Sequence, residues 1–332
     1  MKNYYLLLGA LLAAAAVFSS CSTEDAGASS RMIGGASTAL LYQGCKAVSE
    51  DEIEFTFSQS VTVKELTLDP ELRVESIENG STVKIKLAET QTPGKLITAD
   101  LVAEDKKKNS INVLVSFRAR NDRMPDLIIN ELCTEYASVT AGRKSEFIEL
   151  KMKSAGNLGA MRLCIVGNSN ASMQTIYEFS PAEVKKDEYV VVHLRTLDPE
   201  STDELSGNLA ESKGLNSSPA ARDFWIPGNV KLMHKTSIVY ILDQDDEVLS
   251  AVMICEKPDL PWPKDYFNET VGFLLDKGIW IDGPVPSSGT TNTRTICRDE
   301  TVVNTNSAAD WYITATSSAT PGSANNPKRY VN

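Results

Sequence analysis

Histidine is almost missing from this chain: His193 and His234 are the only two. They are not spaced as a His-x-x-x-His pair, so a zinc hydrolase of the usual helical kind has no ligand set to build on. Cysteine is sparse too, and none of the six residues forms a Cys-x-x-Cys spacing, which removes the common zinc and redox motifs. Cations are in deficit, 33 Lys and Arg against 44 Asp and Glu, for a formal charge of −11. Nucleic-acid binding depends on basic side chains neutralising phosphates, so that class is excluded as a partner. Electrostatic attachment to an anionic lipid surface is disfavoured for the same reason. The chain also lacks a Gly-x-Ser-x-Gly elbow and a phosphate-binding glycine loop with its lysine. No cofactor is implied.

What is present begins with Cys21. Lys2 precedes an apolar run from Leu6 to Val17 broken only by Gly9, and Phe18-Ser19-Ser20 leads into the cysteine. A charged start, a short apolar core and a small-residue cleavage site describe an export signal. The run of about 12 residues is shorter than the roughly 17–25 needed to span a bilayer. A cysteine at the cut site resembles a bacterial lipoprotein, in which the thiol carries diacylglycerol and the new terminus an acyl chain such as palmitate. The expectation is a signal peptide over 1–20 and a flexible Ser/Ala/Gly-rich tether over 21–36. The protein would then be held in the cell envelope by its N-terminal lipid, in the outer membrane, on the surface or the periplasmic face. Glu24-Asp25 resembles the surface-export signals of some bacterial groups. The alternative is an ordinary signal peptide with Cys21 there by chance.

Residues 37–120 alternate as strands do. Ile53–Phe57, Val61–Val63, Val83–Leu87 and Val113–Phe117 each place apolar side chains at every second position. Asn79-Gly80 between two such runs signals a hairpin, and Thr92-Pro93-Gly94 and Lys106–Asn109 signal turns. Short antiparallel strands at this spacing predict a β-sandwich. Phe57–Val61, the turn before Leu96 and the closing Asp105 to Asn109 resemble the immunoglobulin-like modules of bacterial surface proteins.

Asn121–Pro125 reads as a polar, proline-bearing boundary, followed by a second domain over 126–326. Strands are expected at 127–132, 146–150, 161–166, 175–179, 188–194, 237–242 and 248–255. A loop-rich insertion is expected at about 201–229. A second, at about 256–289, holds one helix near Tyr266–Lys277 with Phe267, Val271, Leu274 and Leu275 on one face. Ile129-Asn130-Glu131-Leu132, Glu146–Leu150, Arg294, Asp310-Trp311 and the closing Thr320-Pro321-Gly322-x-x-Asn325 resemble bacterial lamin tail domains. That resemblance implies an immunoglobulin-like sandwich and a binding or anchoring role. The fold class is therefore all-β, two immunoglobulin-like sandwiches in tandem, the second with a helix-containing insertion.

The candidate site residues follow from these patterns. Trp225, Trp262 and Trp280 lie in or beside irregular, proline-bounded segments, where aromatic faces can hold a sugar ring or a protein partner. Asp243, Asp245 and Glu247 form the densest acidic cluster and are weak metal candidates, with a solvated hairpin turn as the better reading. Glu131 and Glu149 satisfy neighbouring backbone or pair with Arg294. In a metal-dependent phosphoesterase or nuclease, the alternative function, they would act with Asp243 as ligands. Cys45, Cys133, Cys164, Cys255 and Cys297 are buried free thiols or disulfide partners. The leading expectation is a lipid-anchored, non-enzymatic binding or scaffolding protein with a protein or glycan ligand.

Overall fold

The computed structural model describes residues 39–136, 145–167, 174–214, 216–260 and 262–331. Cys21 and the tether lie outside the described residues. Among the described residues, no helix is long and apolar enough to cross a membrane, which leaves β-barrels unaddressed. The chain is all-β in class and sandwich-type in architecture, with a single α-helix among the described residues.

The first seven strands are β1 (Tyr42–Ser49), β2 (Glu52–Phe57), β3 (Val61–Asp69), β4 (Val74–Glu78), β5 (Thr82–Leu87), β6 (Leu96–Asp105) and β7 (Ser110–Arg118). They form two sheets, in the orders β1-β2-β5-β4 and β3-β6-β7. Side chains alternate across a strand, and here the alternation is clean. Ile53, Phe55 and Phe57 of β2 point inward, as do Val83, Ile85 and Leu87 of β5 and Ile97, Ala99, Leu101 and Ala103 of β6. Burying a side chain of the Phe or Ile class stabilises by about 1.5–3 kcal/mol. The expected hairpin forms between β4 and β5, with Glu78 opposite Lys84. Asn79 holds it to the neighbouring sheet, since Val63 N donates to its Oδ1 at 2.8 Å. Gly94 adopts φ +75°, which completes the Thr92-Pro93-Gly94 turn at no steric cost.

The second group holds β8 (Leu127–Cys133), β9 (Phe147–Met152), β10 (Gly156–Asn157), β11 (Arg162–Gly167), β12 (Gln174–Glu178), β13 (Glu183–Val184) and β14 (Tyr189–His193). After these come β15 (Ala221–Trp225), β16 (Ser237–Leu242), β17 (Val248–Cys255), the helix α1 (Asp265–Asp276), β18 (Val285–Pro286), β19 (Ile296–Arg298) and β20 (Trp311–Ile313). One sheet runs β15-β14-β9-β8-β19-β20, the other β12-β11-β16-β17-β18, and β10 pairs with β13. Leu132, Ile148, Leu150, Val190, Val192 and Phe224 from the six-stranded sheet share one core with Leu163, Val239 and Val252 from the other. Helix α1 adds Phe267 and Leu274 to that core, and Trp280 follows just beyond its end.

The segment 201–229 departs from the loop expected there. It contains β15, which pairs in parallel with β14 from Tyr189–Ala221 to His193–Trp225. The strand Ala-Arg-Asp-Phe-Trp shows no apolar alternation, because Arg222 and Asp223 are buried through hydrogen bonds instead. All five described cysteines are free, four of them buried and Cys45 half-buried. Burial pushes the Cys45 thiol up to about 12 and that of Cys164 to about 11, so neither ionises at neutral pH.

Between the two cores the chain is pinned. Asn121 is buried, and its Nδ2 donates to the carbonyls of Asn157 and Gly159, both at 2.7 Å. Gln244 brackets the same residue, accepting from Asn121 N at 2.8 Å and donating to its carbonyl at 3.1 Å. Around it Arg118 meets Glu178, Arg120 grips Asp245 with two bonds, and Arg123 reaches Glu183 and Glu50. Backbone meets backbone beneath these pairs: a Cβ on Gly159 would lie 2.5 Å from the carbonyl oxygen of Pro93.

Candidate functional site: a buried polar layer

The register of the six-stranded sheet brings the candidate chemistry together. Glu131 sits opposite Glu149, Glu149 opposite Val191, and Val191 opposite Asp223. One step along, Phe147, His193 and Trp225 form the next row. These side chains share the face turned away from the apolar core. A sheet with one solvated face would leave them in water. Instead Glu131, Glu149, His193 and Asp223 are all 0 % exposed.

Two covers account for the burial. Over the carboxylates lies the segment 317–325. Thr320 donates to Glu131 through its backbone N–H at 3.1 Å and its hydroxyl at 3.2 Å, and Gly322 N donates to Glu149 at 2.6 Å. Asn325 Nδ2 donates to the carbonyls of Asn130 and Arg298, and Asn130 Nδ2 donates to Glu149 at 2.9 Å. Thr295 completes the shell with a 2.5 Å bond to Glu131. Of the two expected arrangements the acids thus bond to backbone, and Arg294, the alternative partner, stacks on Tyr330 at 4.1 Å. Desolvation raises the pKa of Glu131, and desolvation together with the Glu131 charge pushes Glu149 up to about 8.

Over the histidine lie residues 201–214 and 216–218. His193 Nε2 meets Asp223 Oδ1 at 2.8 Å, and its ring stacks on Trp225 with centroids 3.8 Å apart. Asp223 also accepts from Ser218 N, and Glu204 accepts from the N–H groups of Asp223 and Ser212. Trp225 Nε1 donates to Ser212 Oγ at 3.1 Å, and Gly214 lies so close that a Cβ there would fall 2.3 Å from the indole. Arg222 ties this cover down, donating to the carbonyls of Glu204, Ser206 and Glu183 and to the carboxylate of Glu188. A His–Asp pair can act as a general base only if a substrate reaches it. Here His193 Nδ1 is buried and has no hydrogen-bond partner among the described residues.

The tryptophans expected as a ligand face are placed differently. Trp225 is buried beneath the 201–218 cover and Trp280 is fully buried in the core beside α1. Trp262 is half-buried and stacks on Phe267 at 5.3 Å. The three do not form an exposed patch, because each indole fills space between a connection and its sheet. Trp311 likewise lies buried under the guanidinium of Arg298.

The acidic cluster at 243–247 is a hairpin turn between β16 and β17. Asp243 accepts from the N–H groups of Asp245 and Glu247, and Asp246 takes φ +63°. Its other carboxylates are engaged with cations: Asp245 with Arg120, Asp246 with Arg162, Glu247 with Lys277. Glu131, Glu149 and Asp243 do not converge, and among the described residues no group of three such side chains is arranged to hold a metal. The ligand set assumed for a metal-dependent phosphoesterase is therefore not assembled.

The family described as the TP_1001 protein second domain matches residues 125–313, more than half of the 332-residue chain. The chain belongs to that family. An uncharacterized protein of Treponema pallidum (strain Nichols) is 27 % identical over 191 residues, 54 % of this chain and 46 % of that protein. The chain thus spans about half the length of the curated relative it matches. A crystal structure of a DUF4876 family protein from Bacteroides thetaiotaomicron VPI-5482 is 13 % identical, with a TM-score of 0.33. The likeness covers 75 % of this chain and 90 % of that one. Within this TP_1001 second-domain member, the family match includes both acids and the His–Asp pair but ends at Ile313, ahead of the segment that covers the acids.

Proposed function

We propose that this protein is a lipid-anchored component of the bacterial cell envelope, a non-enzymatic binding or scaffolding module for a protein or glycan ligand. The observation that carries the non-catalytic reading is the complete burial of Glu131, Glu149, His193 and Asp223 under two hydrogen-bonded covers. General acid–base groups serve a reaction only within hydrogen-bond reach of a substrate proton. The pinned segment around Asn121 supports a scaffolding role, since it fixes one sandwich against the other.

The finer reading of the second sandwich is lamin-tail-like. Its support is that the two ends of the resemblance meet: Asn130, Glu131 and Glu149 bond with Thr320, Gly322 and Asn325. The first sandwich is read as immunoglobulin-like from its two facing antiparallel sheets. Anchoring rests on Cys21 and the apolar run before it. Metabolic labelling with palmitate tests it: label is expected in the wild-type chain and lost in Cys21→Ala. Unchanged labelling of the variant would overturn the anchor.

A further inference from the structure

Two carboxylates placed directly opposite each other on antiparallel strands repel, and burial removes the water that would weaken that repulsion. Glu131 and Glu149 are such a pair, and among the described residues no cation bonds to either. Lys151, the next residue on that face of β9, is held by Glu300 at 2.5 Å and lies over the ring of Tyr189. Arg298 on β19 donates to the carbonyl of Ile129 and to Asn304. Arg329 bonds to Asp299 and lies over Tyr312 of β20. Across Val191, Asp223 is committed to His193 and Ser218. Cys297 is buried beside Glu131, and its thiol pKa is raised by burial and then by that carboxylate. Among the described residues the groups that soften the pair are uncharged donors, and several belong to one segment: Thr320 N–H, Thr320 hydroxyl and Gly322 N–H.

That segment is a loop fastened at both ends. Ser317 N donates to the carbonyl of Thr293 at 2.7 Å, and beyond the loop Thr314 bridges Arg329 while Tyr330 N donates to the carbonyl of Ile313. Between these fastenings it lies on the acids and on a small apolar patch of Cys133, Phe147, Val191 and Ala221, against which Ala319 packs.

We propose that residues 317–325 form a strap that closes over the six-stranded sheet while Glu131 and Glu149 share one proton, and opens when both are ionised. Opening uncovers the patch around Phe147 and Val191 without releasing the rest of the C-terminal segment. The direction in pH follows from linkage. Glu149 lies at about 8 when covered, against the ordinary glutamate value of 4.5 that it regains when exposed to water. The closed form thus holds the extra proton, and closure weakens as pH rises from about 4.5 to about 8, then levels off.

Hydrogen exchange of the Thr320 and Gly322 amides in the full chain, corrected for intrinsic rate, reads this directly. Protection is expected to fall by about tenfold per pH unit between pH 5 and 8, as one linked proton requires. Glu149→Gln cannot ionise at this position, so only Glu131 remains to titrate and protection should fall with pH by clearly less than in the wild-type chain. Constant protection in the wild-type chain, or a full pH dependence surviving in Glu149→Gln, would overturn the proposal. Should the variant fail to fold, the infrared carbonyl band of a protonated buried carboxyl in the wild-type chain at pH 7 decides. It is expected to be present and to vanish above pH 9, and its absence at pH 7 would overturn the shared proton.

Discussion

The two sandwiches use the outward faces of their strands to different ends. In the first, β2 and β5 bury one face and leave the other to water, where Lys84 meets Glu52 and Glu54 and Lys46 meets Glu54. In the second, β8, β9, β14 and β15 are buried on both faces, and the polar side chains become a closed internal layer. A charge on a solvated face is nearly neutral for stability, because water screens what a partner supplies. A charge inside is held by directed bonds, and losing one partner leaves the rest stranded. The contrast teaches that the polar positions of a strand carry little weight until it is known whether something covers them.

Removing Arg222 should break the comparison most sharply. Its guanidinium satisfies three carbonyls and a carboxylate while 2 % exposed. Arg222→Ala is expected to lower stability by about 3–5 kcal/mol, the range for one lost partner of a buried ionic network. Denaturant unfolding checks it, and the 201–218 cover should become the first site of proteolysis. Asn121→Ala sharpens the comparison at the junction. Stranding two buried carbonyls should cost about 2–3 kcal/mol, measured the same way, with faster exchange at Asn157 and Gly159. On the open face of the first sandwich, Lys84→Ala should shift stability by no more than about 0.5 kcal/mol, readable as an unchanged denaturation midpoint.

Much of this architecture is legible in the sequence. The hairpin at Asn79-Gly80, the helix realised as Asp265–Asp276, and the strands carrying Ile129, Ile148, Ile165, Val191, Val239 and Val252 all follow from period and turn chemistry. So does the acidic turn at 243–247. What escaped was held by tertiary bonds. β15 has no apolar alternation, since Arg222 is satisfied by the carbonyls of Glu204 and Ser206, well upstream, and Asp223 by His193 on β14. Trp225 and Trp280 lie among turn-forming residues that read as surface, yet each indole is the filling between a connection and its sheet. The motif ends at 130–131 and 320–325 were visible as a resemblance. That they meet over a pair of acids was not, because no local signal reports which distant segment covers a strand.

The second sandwich contains a closed acidic layer whose Glu149, raised to about 8, keeps a proton that the unfolded chain gives up. Stability measured against pH tests it most directly. Glu149, raised to about 8 in the folded chain, binds more proton there than when unfolded, so its contribution is complete below about pH 4.5 and lost by about pH 8. Thermal unfolding of the wild-type chain is therefore expected to shift to lower temperature between pH 5.5 and pH 8, and that fall should shrink in Glu149→Gln. A midpoint that rises with pH over this range, or an equal fall in the variant, would contradict the closed acidic layer.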